Sequence, residues 1–344
     1  MPCSTALPAS CAVTSSRRRP VDEFDLIDRL IAPLAVADGA RGLTDDGAVL
    51  TPTPGMELAL TKDLLTENVH FLADDPPGDV ARKLLRTNLS DLAAMGARPL
   101  GYLLGLASDG RRDDVWFRAF VDGLADDQDR YGLSLLGGDT ISTASGVLTL
   151  SLTAIGEIPA GQSLARSGAR PGDHLAVSGT IGDGAFGLLV RRDVLSGLSD
   201  KSRAFLVRRY RLPEPRVALG AALLGRAHAA LDVSDGLVAD AGHMARRSGL
   251  AIEIDQAAVP LSSAAREVID RDPSCWPAAL TGGDDYELLI AFDPGRTGEL
   301  RDMAAQSGTD LTIIGRCLAG RGIRILDADG LELQIDGSGW RHEG

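Results

Sequence analysis

The chain has 344 residues, of which 44% are apolar, 24% charged and only 4% aromatic, with 40 glycines and a formal net charge of −13. Such a length predicts two domains or one large one, with a mostly aliphatic core and many tight turns. The acidic balance excludes a protein held to nucleic acid by a basic face, and no run approaches the roughly 18 to 20 apolar residues of a membrane span.

The first twenty residues, MPCSTALPASCAVTSSRRRP, place arginines after a weakly apolar stretch, the reverse of a secretory leader, so 1–20 reads as a frayed tail. Phe24, Ile27, Leu30, Ile31 and Leu34 then follow one helical face. ELALTKDLL and GVLTLSLTAIGEI read as strands, and DVARKLLRTNLSDLAAMGARP as a helix closed by Gly96 and then Pro99. DDVWFRAFVDGLADDQDRYG is a second helix, followed by the short strand LSLLGGD. An N-terminal domain over 21–158 thus interleaves strands and helices. Proline, glycine and arginine displace the apolar pattern in IPAGQSLARSGARPGD, which sets the boundary and leaves a C-terminal domain over 159–344. That part reads as the strand HLAVSG, the helix AFGLLVRR, and a helical KSRAFLVRRYRL stopped by the prolines of LPEP. It continues with a helix after LDVSDG, strands around IEID, YELLIAF and LTIIGR, and a hairpin whose DADG turn joins IRIL to LELQI. Both halves are mixed α/β. The four cysteines have no CxxC spacing, which suits a reducing cytoplasm and gives neither a zinc site nor a disulfide framework.

Aspartates set among small residues are the main chemical signal: Asp45 and Asp46 in TDDGA, Asp63 in TKD, Asp91 in NLSD, Asp139 in GGDT, Asp232 and Asp235 in LDVSDG, Asp284 and Asp285 in GGDDYEL. Hard cations such as Mg²⁺ want oxygen ligands and commonly share them with substrate phosphates, which reconciles an acidic chain with an anionic ligand. Each segment also has a plainer reading. TDDGA can be a turn, Asp91 with Asn88 a solvated helix face, and Asp232 or Asp235 a helix cap, although capping accounts for one of that pair and not both. GGDT after a strand, and SGTIGDG entering a helix, offer exposed backbone N–H groups to phosphate. GDGAFG is a formal GxGxxG, but no second strand with an acidic end follows about twenty residues on, so a dinucleotide site is poorly supported. No GxxxxGK[ST], HExxH or GxSxG occurs. His70, directly after TKDLLTENV, serves either a substrate phosphate or the structure.

Taken in order, DDGAVL, TKDLLTENVHF, ARKLLRTNLSDLAAMGARP, LLGGDT, RSGARPGD, SGTIGDGAFGL, LDVSDGLVADAGH and GGDDYEL resemble the thiamine-monophosphate kinase family. Its superfamily also holds aminoimidazole ribonucleotide synthetase and selenophosphate synthetase. The resemblance spans about Asp22 to Trp340 and implies a two-domain aminoimidazole ribonucleotide synthetase-like fold and Mg²⁺-dependent phosphoryl transfer from ATP to thiamine monophosphate. It implies that Asp46, Thr61, Asp63, Asp91, Asp139, Asp232 and Asp235 bind several Mg²⁺ ions. It also implies that Gly138, Asp139, Arg166 and Ser234 contact ATP, that His70, Asp284 and Trp340 meet the acceptor, and that N-terminal domains pair in a homodimer. No covalent catalytic residue, nucleic acid or membrane is implied.

Two residues depart from the family pattern. Lys62 stands where Thr or Ala is common, which leaves the ion count open, and Asp284 stands where many members carry Glu. Other ATP-dependent enzymes of the superfamily are the nearest alternatives. Selenophosphate synthetase would want a reactive Cys beside a Lys in a glycine-rich N-terminal segment, whereas Cys3 and Cys11 lie in the tail. From a different class, Lys62 favours a non-catalytic binder of nucleotide or thiamine phosphate.

Overall fold

The computed structural model describes residues 26–334 apart from residue 145. The apolar face expected near the start is buried but is not one α-helix. Ile27–Ile31 is a π-type turn and Ala32–Leu34 a 3₁₀ turn, because Pro33 interrupts the α-helical hydrogen-bond ladder. Leu30, Ile31 and Leu34 still pack into the first core, while Phe24 lies outside the described residues.

The first sheet has the order β1-β4-β2-β3, formed by β1 (Met56–Thr66), β2 (Arg98–Ser108), β3 (Ser134–Ser142) and β4 (Thr149–Pro159). The sequence reading misses β2, whose Pro99, Gly101 and Gly105 weaken a strand signal. At Gly101 the packing explains the residue, since a Cβ there would stand 2.7 Å from the Leu136 side chain and 2.8 Å from the Ser134 carbonyl. Two helices cover one face, α1 (Pro77–Met95) and α2 (Asp114–Tyr131). Helix α1 closes at Gly96 (φ 78°) as expected, and Asp113 caps α2 by accepting the Trp116 N–H. The opposite face is open, with Leu60 60%, Leu64 51% and Ile141 54% exposed.

The second sheet has the order β10-β7-β9-β5-β8-β6, from β5 (His174–Ser178), β6 (Ala229–Asp232), β7 (Ala251–Asp255), β8 (Leu288–Phe292), β9 (Leu311–Leu318) and β10 (Gly322–Leu326). Its helices are α3 (Asp183–Arg191), α4 (Asp200–Arg211), α5 (Val217–Ala222), α6 (Leu237–Ser248), α7 (Ser263–Arg271), α8 (Trp276–Thr281) and α9 (Thr297–Gln306). The expected hairpin is present but short: across the DADG turn the Asp327 N–H donates to the Leu331 carbonyl (2.9 Å) and the Leu333 N–H to that of Ile325 (2.8 Å). The Asp327 carboxylate accepts the Asp329 and Leu331 N–H groups, but β10 finds its ladder in parallel pairing with β7, and LELQI adds a single bridge at Glu332.

The two mixed α/β domains share α1. Its outer residues pack on the first sheet, while Ala93 and Ala94 pack among Leu219, Leu223 and Leu288 of the second. Arg86 of α1 makes a buried two-pronged pair with Asp127 (2.6 and 2.9 Å) and reaches the Pro213 carbonyl (3.0 Å). Helix α1 is therefore fixed from both sides, and its polar stripe faces the seam. Among the described residues no helix is long and apolar enough to cross a membrane.

Candidate active site

A cleft of about 660 Å³ runs along that seam. Strand alternation sorts β1, because successive side chains point to opposite faces. Thr61 and Asp63 turn toward α1, and Lys62 turns to the open face, where its ammonium meets Ser151 Oγ at 2.5 Å. On α1, Lys83, Thr87 and Asp91 are four residues apart and so share one face. Asp232 arrives at the end of β6. Hydroxyls serve these carboxylates: Thr61 donates to Asp91, Thr87 to Asp63, and Ser90 to Asp232 at 2.8 Å. Among the described residues none of the three forms an ion pair.

Burial and the charge of Asp91 lift the Asp63 carboxyl to about 6. Burial also raises Asp91, and raises Asp232 strongly with Asp91 beside it, while the Arg166 guanidinium opposes both rises. Burial and repulsion between neighbouring carboxylates are costs that a bound divalent cation would relieve. Among the described residues, the set whose donor atoms all lie within 4.8 Å of one another is instead Asp235, Asp240 and His243. Asp63, Asp91 and Asp232 are spaced more openly, which suits ions that complete their shells with phosphate and water.

Asp235 does not cap α6, nor does Asp232. The cap position is Gly236, and the Asp240 carboxylate accepts the Asp235 N–H at 3.0 Å, holding the 233–236 turn from inside the helix. Against this turn lies the 282–286 segment. The Asp284 N–H donates to the Ser234 carbonyl (3.0 Å) and the Tyr286 N–H to that of Val233 (2.8 Å). Asp284 (φ 72°) and Tyr286 (φ 52°) both occupy the left-handed region, which surrounding contacts must enforce for non-glycine residues. A Cβ at Gly283 would stand 2.2 Å from the Ser234 carbonyl oxygen, so only glycine allows the approach.

Opposite, the chain after β1 carries His70. The Thr66 N–H donates to its Nδ1 (3.1 Å), which leaves Nε2 as the protonated nitrogen. This stretch is tied to the second domain by Arg211 on Asp75 (2.7 Å) and Arg191 on Asp74 (2.6 Å).

The structure therefore gathers Asp63, Asp91, Asp232, Ser234, Asp235, His70 and Asp284 along one cleft, with Thr61 bonded to Asp91 and Arg166 near enough to act on two of the carboxylates. Asp46, Gly138 and Asp139 are not in it. They line a second cleft of about 680 Å³ on the open side of the first sheet. Lys62 borders both clefts, so edge strand β1 is the wall between them. Trp340 lies outside the described residues.

One expectation is overturned. The amides at the start of α3 are not open to phosphate, because the buried Asp285 carboxylate already accepts the Gly182 N–H (2.7 Å) and the Gly184 N–H (2.9 Å). Sequence reasoning also passed over Lys83, Asp240 and Tyr286. The spacing of Lys83, Thr87 and Asp91 was the available signal for the first.

Comparison with known proteins follows the same division. The family model described as "AIR synthase related protein, N-terminal domain" matches residues 44–158, and that for the C-terminal domain matches residues 170–327. The thiamine-monophosphate kinase of Caulobacter vibrioides is 44% identical over 94% of this chain and 91% of its own. The solved structure of the thiamine-monophosphate kinase of Stenotrophomonas maltophilia K279a is 40% identical, with TM-score 0.80 over 90% of this chain and 96% of that one. A structure described as "AaThiL complexed with AMPPCP and TMP" is 30% identical, with TM-score 0.75 over 96% of this chain and 100% of the other.

Proposed function

The chain belongs to the AIR synthase related family and, within it, to the thiamine-monophosphate kinases, and from that premise we propose that it transfers the γ-phosphoryl group of ATP to thiamine monophosphate by direct in-line displacement, giving thiamine diphosphate and ADP. The observation that carries this reading is the meeting of Asp63, Asp91 and Asp232, from both domains, as carboxylates without ion pairs among the described residues.

The donor set is oxygen only, and its raised carboxyls call for a hard cation, so it fits Mg²⁺. Asp63, Asp91, Asp232, Asp235 and Thr61 would hold such ions in the first cleft, and Asp46 and Asp139 in the second. Bound there, Mg²⁺ supplies the positive charge that lets two anionic phosphates approach. Gly138, Asp139, Arg166 and Ser234 divide between the clefts, so we infer that the ATP polyphosphate crosses the margin of β1, where Lys62 borders both spaces.

The acceptor is a phosphate monoester with a second pKa near 6, so it is mostly dianionic at neutral pH and requires no general base. His70 and Asp284 border the same space and are assigned to the acceptor. Trp340 is assigned to the cationic thiazolium, which an indole face attracts. Catalysis then rests on alignment and neutralised charge, with no phosphorylated enzyme intermediate. Lys62 projects from the far side of β1 and so does not argue against turnover. Pairing of two chains through the open face of the first sheet would cover Leu60, Leu64 and Ile141, and the free Cys275 and Cys317 suit a cytoplasmic setting.

A coupled ADP-release assay with thiamine monophosphate, ATP and Mg²⁺ tests the proposal. Release that depends on thiamine monophosphate supports it; binding of both ligands without ADP formation overturns it.

A further inference from the structure

Lys83 is a charged residue with a 2% exposed side chain in the middle of α1. A buried ammonium is costly unless every direction around it is satisfied. Here three partners surround it. Its Nζ donates to the His70 carbonyl at 3.0 Å and to Asp284 Oδ2 at 3.1 Å, and it lies 3.8 Å from the centre of the Tyr210 ring. The three partners come from the segment after β1, the 282–286 segment and α4, so one side chain on the shared helix ties together parts of both domains. Replacing a buried ion pair by apolar packing is commonly neutral or stabilising, so stability alone gives little reason to keep this one.

What it holds is informative. The His70 carbonyl and the Asp284 carboxylate belong to two residues that line the cleft and that the proposed function assigns to the acceptor. Asp284 sits at φ 72°, a conformation an unrestrained aspartate leaves readily, and its carboxylate also engages the Tyr286 hydroxyl. We propose that Lys83 is a positioning residue for acceptor binding, an ammonium behind the cleft wall that sets the His70 segment and the Asp284 carboxylate at a fixed separation for a phosphate-bearing cation. The inference rests on the kinase reading above.

Steady-state kinetics of Lys83→Met, Lys83→Gln, Asp284→Asn and the double variant Lys83→Met/Asp284→Asn test it. Lys83→Met should raise KM for thiamine monophosphate at least tenfold and leave KM for ATP within twofold. Lys83→Gln, which keeps a donor, should recover part of that loss. The double variant should be no worse than the more severe single, since both changes break one contact. If Lys83→Met fails to fold, Lys83→Gln against Asp284→Asn carries the same comparison. Unchanged KM for thiamine monophosphate, an equal rise for both substrates, or additive losses in the double variant overturn the inference while wild-type turnover leaves the kinase reading standing. Absence of wild-type turnover with thiamine monophosphate overturns both.

Discussion

Asp63→Asn removes a charge that the fold tolerates poorly in the absence of a cation. Burial and Asp91 raise this carboxyl from 3.8 to about 6, and roughly two pKa units correspond to about 3 kcal/mol. Because the folded-state value is the raised one, the folded chain binds the proton more tightly than the unfolded chain. The stability this lends is fully present below pH 3.8 and is lost as the pH rises through about 6. In EDTA the wild type and Asp63→Asn should melt together near pH 4, whereas near pH 7.5 the variant should be more stable by up to about 3 kcal/mol. An asparagine keeps an acceptor for the Thr87 hydroxyl, so charge is the main thing changed. Thermal melts across this pH range measure the difference, and Mg²⁺ with ATP should reverse the order near neutrality by stabilising only the wild type. An offset between the two proteins that ignores pH, or a variant less stable at every pH, would refute the account of this carboxyl.

Asp91→Asn should lower turnover by orders of magnitude and leave the circular dichroism spectrum intact; near-normal ADP release would remove Asp91 from the ion-binding set. Lys62→Met should raise the Mg²⁺ concentration needed for half-maximal ADP release and leave the melting temperature unchanged, since Lys62 is exposed and borders both clefts; an unaltered Mg²⁺ titration would show that its ammonium does not act there. Gly184→Ala should destabilise by about 1–3 kcal/mol, because the new Cβ would stand 2.3 Å from the Asp284 carbonyl oxygen. A melting temperature equal to that of the wild type would contradict the close approach.

Long amphipathic helices such as α1 and α2 are legible because apolar spacing marks their buried faces and Gly96 marks the end of α1. The first segment departs from the expected helix because apolar spacing survives in tighter and wider turns, and Pro33 breaks the α-helical ladder. Strand β2 was hidden by its glycines, which serve neighbours in the sheet and not the strand itself. At the site, ordered motifs pointed to the aspartates, but not to the split between two clefts, which depends on the alternation of Thr61, Lys62 and Asp63. Lys83 is hard to place from sequence, because a lysine on an amphipathic helix normally marks the solvent side; its spacing with Thr87 and Asp91 is the one hint, and the His70 segment and the second domain together make the position interior. Asp285 reads in the sequence as one more aspartate suited to a cation, whereas its buried carboxylate occupies amides of the glycine motif.

The placement of β1 sets the scale of the whole centre. A lone ribbon of backbone separates the compartments, and among the described residues it pairs with a strand on one flank only. Under the proposed reaction, groups lodged on either side are kept apart by a single layer of sheet and meet by rounding that flank. Geometry of this kind makes the strand a spacer as much as a scaffold for the proposed transfer.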